Sequence, residues 1–367
     1  MIFSIVPCDK GRFVAATEKP ASPFASKATW IGFLFSAGAI VLLLWRVSFK
    51  DLGAALGRAE LVWLIPSVLV FLVVFMLRAL RWALLLGGTR FWPTWHANII
   101  GYMFNVIFPL RLGEIARAYV IAKEGNVSLA RALSACVVER LLDLAAVVLM
   151  FAYFTTKIPL GPNFTRAATV AAVLVVAGVF TGAFIVVMGD TVERIGRPRL
   201  ARLGKERVDV LFARFHEIRD GFKALGTTKR AAQTLLLTIA IWATTILLSA
   251  FAMRAFIPDA LTEPARPSFV VVIANLGGAL PSAPGGLGIV QAFATSALVV
   301  PFNVPEPDAL AFVLVWSLGG QLVLIVLGII SLGRVGLSLS DVRAGASKSK
   351  ADPKDQGSSV DRDNKDN

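Results

Sequence analysis

Apolar runs long enough to cross a bilayer recur along most of this chain, and residues 61–77, 231–253 and 308–331 are clear examples. So many runs cannot be buried in one soluble core. Charged residues make up only 17% of the sequence, against about 25% in a soluble domain. The runs also lack the two-residue alternation of a membrane β-barrel. The sequence therefore predicts an all-α polytopic membrane protein.

We divide the chain into a flexible cytoplasmic arm (1–28), a transmembrane domain (29–335) and a disordered cytoplasmic tail (341–367). Within the domain, residues 190–230 are hydrophilic, with apolar side chains at helical spacing. They predict an amphipathic segment that lies either on the inner membrane surface or on protein loops. About eight hydrophobic segments complete the domain: residues 30–45, 61–77, 92–110, 128–156, 165–189, 231–253, 268–300 and 308–331.

Two of these segments contain helix-breaking residues. Pro109 interrupts 92–110, and the sequence P-S-A-P-G-G-L-G at 281–288 interrupts 268–300. Proline ends the helical hydrogen-bond ladder, so both segments are predicted to be broken or re-entrant helices. Such backbone is tolerated at membrane depth only where protein or a wet cavity satisfies it. One break in each half of the chain indicates an internal repeat with a binding site between its copies.

Charged residues near the first break are the candidate functional residues, because charge is unfavourable inside a bilayer. A span needs about 20 residues, and the helix that carries these residues cannot stay apolar beyond Lys157. Residues 139–143 are therefore predicted to lie about 3–9 Å inside the inner hydrocarbon boundary. The candidates are Arg111, Glu114, Arg117, Glu139, Arg140 and Asp143.

Helical spacing predicts how these six charges are arranged. The charges at 111, 114 and 117 would form one stripe, and those at 140 and 143 could pair. The arginines suit a phosphate, while the carboxylates would hold them in place or meet an amine or a proton. With Asn105, the six form a candidate pocket for an anionic headgroup. The alternative is a structural clasp, in which the two stripes only join their helices.

The second break offers a different kind of anion site. Gly285, Gly286 and Gly288 allow close backbone approach, and the helix that follows them would begin with free N–H groups. The alternative is a plain tight turn. Neither a metal site, a cofactor nor a disulfide is indicated, since the chain has only two cysteines, Cys8 and Cys136, and two histidines.

The net charge of +13 indicates membrane topology rather than nucleic-acid binding, because no aromatic-basic motif accompanies it. Basic residues concentrate on the cytoplasmic side of membrane proteins. With both termini in the cytoplasm, most of the 37 Lys and Arg residues face that side. We therefore predict a multi-pass protein of the plasma (inner) membrane. The apolar run at its start is too short for a secretory signal.

Three linked motifs resemble the transmembrane region of lysylphosphatidylglycerol synthases and related flippase-like membrane proteins. They are N-x3-P-x-R-x-G-E-x2-R at 105–117, E-R-x2-D at 139–143 and P-x2-P-G-G-L-G at 281–288. R-A-L-R-W at 78–82 also fits. It ends the span at 61–77, where its arginines can extend to the membrane surface and Trp82 can lie at headgroup level. The resemblance covers about residues 30–335.

The resemblance implies a domain that translocates lipids. In the full synthases a soluble aminoacyl-transferase domain follows; here the chain ends in the polar tail, so lysyl transfer is expected to be absent. One departure concerns the last span, where the family often carries an arginine and this chain has W-S-L-G at 316–319. Any role for a charge on that helix is therefore in doubt.

We consider three functions. The first is a translocase for a lipid or a lipid-linked sugar, with membrane lipids and a lipid-modifying enzyme as partners. The second is an integral membrane transferase, or its accessory subunit, acting on a polyprenyl phosphate or phospholipid. The third is a non-catalytic membrane scaffold. The sequence favours the first and a non-enzymatic role, because it contains no Walker motif and no acidic pair in a loop suited to a metal–nucleotide donor.

Overall fold

The computed structural model describes residues 48–108, 112–125, 127–158, 227–280 and 283–344, with isolated positions between 34 and 41 and between 166 and 208. Several predicted features lie outside the described residues. These are the arm at 1–28 with Cys8, most of the spans at 30–45 and 165–189, most of the amphipathic segment at 190–230, the tail beyond residue 344, and Arg111.

The described ranges contain nine α-helices and no strand, so the predicted all-α membrane fold is confirmed. Four helical stretches are long and apolar enough to cross a membrane: Leu61–Leu85, Lys229–Arg254, Pro284–Phe302 and Glu306–Val335. The helices are α1 (Phe49–Gly57), α2 (Leu64–Leu85), α3 (Phe91–Ile107), α4 (Gly113–Glu124), α5 (Leu129–Lys157), α6 (Thr228–Arg254), α7 (Ala265–Ala279), α8 (Ile289–Phe302) and α9 (Glu306–Val335).

Local capping residues set several of these helix ends. The Ser128 hydroxyl accepts a hydrogen bond from the backbone N–H of Arg131 at the start of α5. Thr227 caps α6 in the same way through the N–H of Arg230. Such caps satisfy backbone donors that have no partner inside the helix. At the other end of the fold, α9 stops at Gly336, whose φ of 63° lies in the left-handed region that favours glycine.

Helix α2 corrects one sequence prediction. The arginines of R-A-L-R-W were expected to extend to the membrane surface, with Trp82 at headgroup level. Instead α2 continues to Leu85, and Arg81 and Trp82 are completely buried. Arg81 does not reach the surface because it finds a carboxylate inside the protein, which offsets the penalty for leaving water. The depth of Trp82 in the membrane stays a prediction.

The two predicted breaks fall between helices. Residues 92–107 form one uninterrupted helix, because Pro93 lies in the first turn of α3, where proline removes no hydrogen bond. The helix ends just before Pro109, and α4 starts four residues after that proline. The second break separates α7 from α8 and includes a short 3-10 turn, Pro284–Gly286, in which Gly285 has a φ of 68°.

The two halves of the described fold pack in corresponding ways. In the first half α2 contacts α3, α3 contacts α4, and α4 contacts α5; in the second half α6, α7, α8 and α9 repeat that series. The contacts between the halves are also equivalent, because the second helix of each half contacts the fourth helix of the other: α3 contacts α9, and α7 contacts α5. The packing therefore agrees with the internal repeat that the two breaks indicate.

The first helices of the two halves, α2 and α6, form the most extensive contact and run antiparallel. The N–H of Glu60 donates to the carbonyl of Ala255 at 2.8 Å. The Ser67 hydroxyl donates to the carbonyl of Leu248 at 3.2 Å. An antiparallel central pair is what two halves of opposite orientation produce.

Candidate functional site: a charged cluster between α2, α4 and α5

Seven charged side chains from three helices meet at one place, which we call the charged cluster. Four are guanidinium groups and three are carboxylates, so the set carries one surplus positive charge. Helix α2 supplies two residues, α4 two and α5 three. The members are Arg78, Arg81, Glu114, Arg117, Glu139, Arg140 and Asp143.

The centre of the charged cluster is the buried pair of Arg117 and Glu139. The Nη1 atom of Arg117 lies 3.1 Å from Oε1 and 3.2 Å from Oε2 of Glu139. It also donates to Oδ1 of Asn98 at 3.0 Å. The guanidinium lies over the ring of Trp82, 4.8 Å from its centroid, an arrangement that stabilises a desolvated cation. These contacts fix α4 against α2, α3 and α5.

A second part of the charged cluster joins α2 to α5. The Nη1 atom of Arg81 lies 2.8 Å from Oδ1 of Asp143 and donates to the Thr238 hydroxyl of α6 at 3.2 Å. Arg78 reaches the other carboxylate oxygen of Asp143 at 3.5 Å. The Tyr102 hydroxyl accepts from Arg78 at 3.1 Å and donates to Glu139 at 3.4 Å. Tyr102 thereby connects the two parts.

The third part is the most exposed and involves Glu114. Its Oε2 lies 2.6 Å from Nη2 of Arg117, and its Oε1 lies 2.7 Å from Nη2 of Arg140. The side chains of Arg140 and Glu114 are 38% and 23% exposed, whereas those of Arg117 and Glu139 are 2% and 0% exposed. The charged cluster therefore meets its surroundings through Glu114 and Arg140.

A close turn between α3 and α4 brings Glu114 and Arg117 to this place. A Cβ added to Gly101 would lie 2.6 Å from Cβ of Arg117, and one added to Gly113 would lie 2.5 Å from Oδ1 of Asn105. The same Oδ1 accepts a hydrogen bond from the N–H of Gly113 at 2.8 Å. Asn105 therefore holds the start of α4 rather than contacting the charges directly.

The structure brings together five of the six predicted charges, and Arg111 lies outside the described residues. The predicted stripe of Glu114 and Arg117 forms an ion pair. The pairing considered for Arg140 and Asp143 is not seen among the described contacts, because Arg140 pairs with Glu114 and Asp143 pairs with the arginines of α2.

Sequence reasoning missed the contribution of α2 and α3. Arg78 and Arg81 are three residues apart and share a helix face, a signal that was interpreted as the end of a span. Asn98 and Tyr102 are four apart on α3 and were likewise not assigned to the site. Polar residues at i and i+4 inside an apolar helix are the signal that could have identified them.

Several buried N–H donors in and around the charged cluster have no hydrogen-bond acceptor among the described residues. They include the Nε atoms of Arg81, Arg117 and Arg140, the Nδ2 of Asn98 and the indole Nε1 of Trp82. Buried donors ordinarily have partners. The Oε2 atom of Glu114 also lacks a hydrogen bond, although it lies close to Arg117, so the charged cluster contains unsatisfied donors and one unsatisfied acceptor.

Two N–H groups of the glycine-rich break already have acceptors nearby in the chain. The N–H of Gly286 donates to the carbonyl of Ala283 at 2.9 Å, and the N–H of Gly288 donates to Oε1 of Gln291 at 2.6 Å. The carbonyl of Gly285 accepts from Gln321 at 2.9 Å. Gly286 and Gly288 therefore do not present free N–H groups, and an anion site at the start of α8 stays a prediction.

The second half has an uncharged counterpart of one ion pair. Gln291 follows Glu114 by 177 residues, and Ser317 follows Arg140 by the same 177 residues. Nε2 of Gln291 donates to the Ser317 hydroxyl at 3.0 Å, so the pair joins α8 to α9 as Glu114 and Arg140 join α4 to α5. Each half therefore has a polar contact between its third and fourth helices. The contact is an ion pair in the first half and a neutral hydrogen bond in the second.

No group of three or more His, Cys, Asp and Glu side chains is placed to hold a metal ion in the part of the chain that the structure describes. Cys136 is buried on α5, with its sulfur 4.0 Å from the carbonyl oxygen of Glu114. His96 contacts the Ser331 hydroxyl at 3.1 Å. The charged groups of the site are the guanidinium and carboxylate groups described above.

Comparison with known proteins gives one match. The family model described as lysylphosphatidylglycerol synthase TM region matches residues 29–328, which include every member of the charged cluster. No curated protein and no solved structure matches the chain.

Proposed function

The chain belongs to the family of lysylphosphatidylglycerol synthase transmembrane regions, and on that premise we propose that it translocates a lipid or a lipid-linked sugar. Membership of this family makes it a multi-pass membrane protein related to lipid handling. The finer proposal is that an anionic headgroup binds at the charged cluster while its acyl or prenyl chains stay in the bilayer.

The observation that carries this proposal is the imbalance within the charged cluster. Four guanidinium groups face three carboxylates, and several of their buried N–H groups lack an acceptor. A closed structural clasp would be expected to balance both, because an unpaired buried charge or donor is destabilising. A phosphate is an anion that accepts several N–H donors at once.

The surroundings of Arg140 support binding of a lipid rather than a free anion. On α5, the apolar side chains of Val137, Leu141 and Leu144 are exposed next to Arg140. They form one stripe at helical spacing. A lipid whose phosphate contacts Arg140 could therefore lay its hydrocarbon chain along this stripe. The phosphate would then contact a cation, and the chain would contact apolar side chains.

The length of α2 supports a position near one membrane boundary. Arg81 follows Trp63 by eighteen residues, which is about 27 Å along a helix, close to the thickness of the hydrocarbon core. Trp63 suits one interface, so Arg81 would lie near the other. With the basic residues facing the cytoplasm, that boundary is the inner leaflet of the plasma membrane, and both termini are cytoplasmic.

Lipid movement in reconstituted liposomes tests the proposal. Liposomes would contain the full-length protein and trace NBD-labelled phosphatidylglycerol, and dithionite would bleach only the label in the outer leaflet. We expect wild-type protein to make the inner label accessible, and Arg117→Gln to abolish this. Arg58→Gln is the matched control, because Arg58 forms an exposed ion pair with Asp308 away from the charged cluster.

Folding has to be separated from function in this experiment, because Arg117 is buried. Each variant would first be required to elute as a monodisperse peak and to show wild-type helicity. A folded Arg117→Gln protein that moves the label as fast as wild type would contradict the proposal and favour a structural clasp. Failure of the wild type to move this lipid and a polyprenyl phosphate sugar would also contradict it.

A further inference from the structure

We propose that Glu114 is a built-in competitor for the anionic headgroup. Its carboxylate lies between the guanidinium groups of Arg117 and Arg140 and occupies the place that the headgroup phosphate takes when it binds. The inference rests on the proposed function and adds how the site is kept closed before a ligand arrives.

The geometry around Glu114 is that of a bound anion. Each carboxylate oxygen contacts a different guanidinium, at 2.6 Å for Arg117 and 2.7 Å for Arg140. Distances this short are typical of charge-assisted contacts. A phosphate has the same ability to bridge two guanidinium groups, so both anions fit one position but cannot share it.

Among the carboxylates of the charged cluster, Glu114 can most easily break its ion pairs and turn away from the arginines. Its side chain is 23% exposed, whereas that of Glu139 is fully buried. Its two guanidinium contacts are the only ion pairs that it forms among the described residues. It also lies in the first turn of α4, directly after the break. Its side chain can therefore rotate toward water without disturbing the interior of the helix.

Exchange of one anion for another keeps an anion between Arg117 and Arg140. Glu139 and Asn98 hold Arg117 from its other side and stay in place. When a phosphate takes the position of Glu114, Arg117 and Arg140 still have an anion between them. At no stage is a guanidinium left without an anionic partner near the hydrocarbon, which would be highly unfavourable.

The second half of the chain shows that two consecutive helices can be joined by a polar contact without charge. Gln291 and Ser317 join α8 to α9 through one neutral hydrogen bond. A glutamine at position 114 should therefore still connect α4 to α5. Competition with a ligand gives the negative charge of Glu114 a role beyond joining the two helices.

Binding of NBD-labelled phosphatidylglycerol to the purified full-length protein in neutral detergent micelles tests this inference. We expect Glu114→Gln to bind the probe about tenfold more tightly than wild type, which corresponds to about 1.4 kcal/mol. Glu124→Gln is the matched control, because it removes the same charge from the exposed last turn of the same helix. It should leave the affinity unchanged. Equal gains in both variants would overturn the inference, because they would reflect net charge alone.

Two further variants separate this inference from the proposed function. Equal affinity of wild type and folded Arg117→Gln would contradict the proposed function itself. If Arg117→Gln loses binding while Glu114→Gln binds as wild type or more weakly, only the competitor role is wrong. Should Glu114→Gln fail to fold, Glu114→Asp replaces it. The shorter carboxylate cannot bridge both guanidinium groups, so tighter binding supports the inference and equal or weaker binding overturns it.

Discussion

The Nη1 atom of Arg81 lies 2.8 Å from Oδ1 of Asp143, and this contact joins two helices whose paired residues are 62 positions apart in the chain. Arg81 is completely buried, and Asp143 is nearly so. The pair anchors α5 to the central α2–α6 pair of helices, because Arg81 also donates to Thr238 of α6. The pair therefore contributes to the fold as well as to the charged cluster.

We expect Asp143→Asn to lower the free energy of unfolding by about 3–5 kcal/mol, because it leaves a buried guanidinium without its carboxylate. Denaturant titration in detergent micelles measures the change. The control is Asp308→Asn, which breaks the pair with Arg58, a side chain that is 67% exposed. That change should amount to less than about 1 kcal/mol. Similar decreases in the free energy of unfolding of the two variants would show that the buried pair stabilises the protein no more than the exposed pair does.

Gly113→Ala should destabilise the protein and misplace the charged cluster. The added Cβ would overlap the carbonyl oxygen of Gly101 and Oδ1 of Asn105, so α3 and α4 must separate. Gly319→Ala is the matched control on α9, because no atom lies within 4 Å of its added Cβ. In a helix it should be neutral or stabilising by up to about 1 kcal/mol. Comparable melting temperatures for both variants would contradict the close approach of α3 to α4.

Asn105→Ala removes the acceptor for the N–H of Gly113 at the start of α4. We expect a loss of about 1–2 kcal/mol in the free energy of unfolding. Asn105→Asp keeps an acceptor at the same atom and should retain most of the stability. If both substitutions are equally destabilising, the amide group rather than the acceptor oxygen is what position 105 requires.

The ion pair at the other end of α2 should make stability depend on pH. Hydrogen bonds from Arg254 and Trp63 lower the pKa of Glu60 below its ordinary value of 4.5. A lowered pKa means that this stabilisation is present above about pH 4.5 and is lost as the pH falls through the folded-state pKa. The melting temperature of wild type should exceed that of Glu60→Gln at pH 7, and the difference should shrink toward pH 3. A pH-independent difference would contradict this assignment.

The long helices could be predicted from the sequence because the length of an apolar run directly reflects the thickness of the bilayer. The run at 128–156 corresponds to Leu129–Lys157, and the run at 231–253 to Thr228–Arg254. The spacing of the charges also predicted which of them share a face of their own helix, since residues three or four apart lie on one side.

The role of Arg81 could not be predicted in the same way. A charge at the end of an apolar run is ordinarily taken as the end of the span, and its partner Asp143 is distant in sequence. Asp143 was considered as a partner for Arg140 on the same helix, but α2 supplies two arginines on the other side. Which of several arginines a carboxylate contacts depends on tertiary packing, which spacing within one helix does not contain.

The stacking of Arg117 on Trp82 gives the molecule an optical reporter of its own site. The guanidinium charge, 4.8 Å from the indole centroid, affects the energy of the excited state of a ring that is fully shielded from solvent. An anion that changes the position or charge balance of Arg117 should therefore shift the emission of Trp82. The difference spectrum between wild type and Trp82→Phe isolates this residue from the other seven tryptophans. Occupancy of the charged cluster could then be followed with unlabelled lipids.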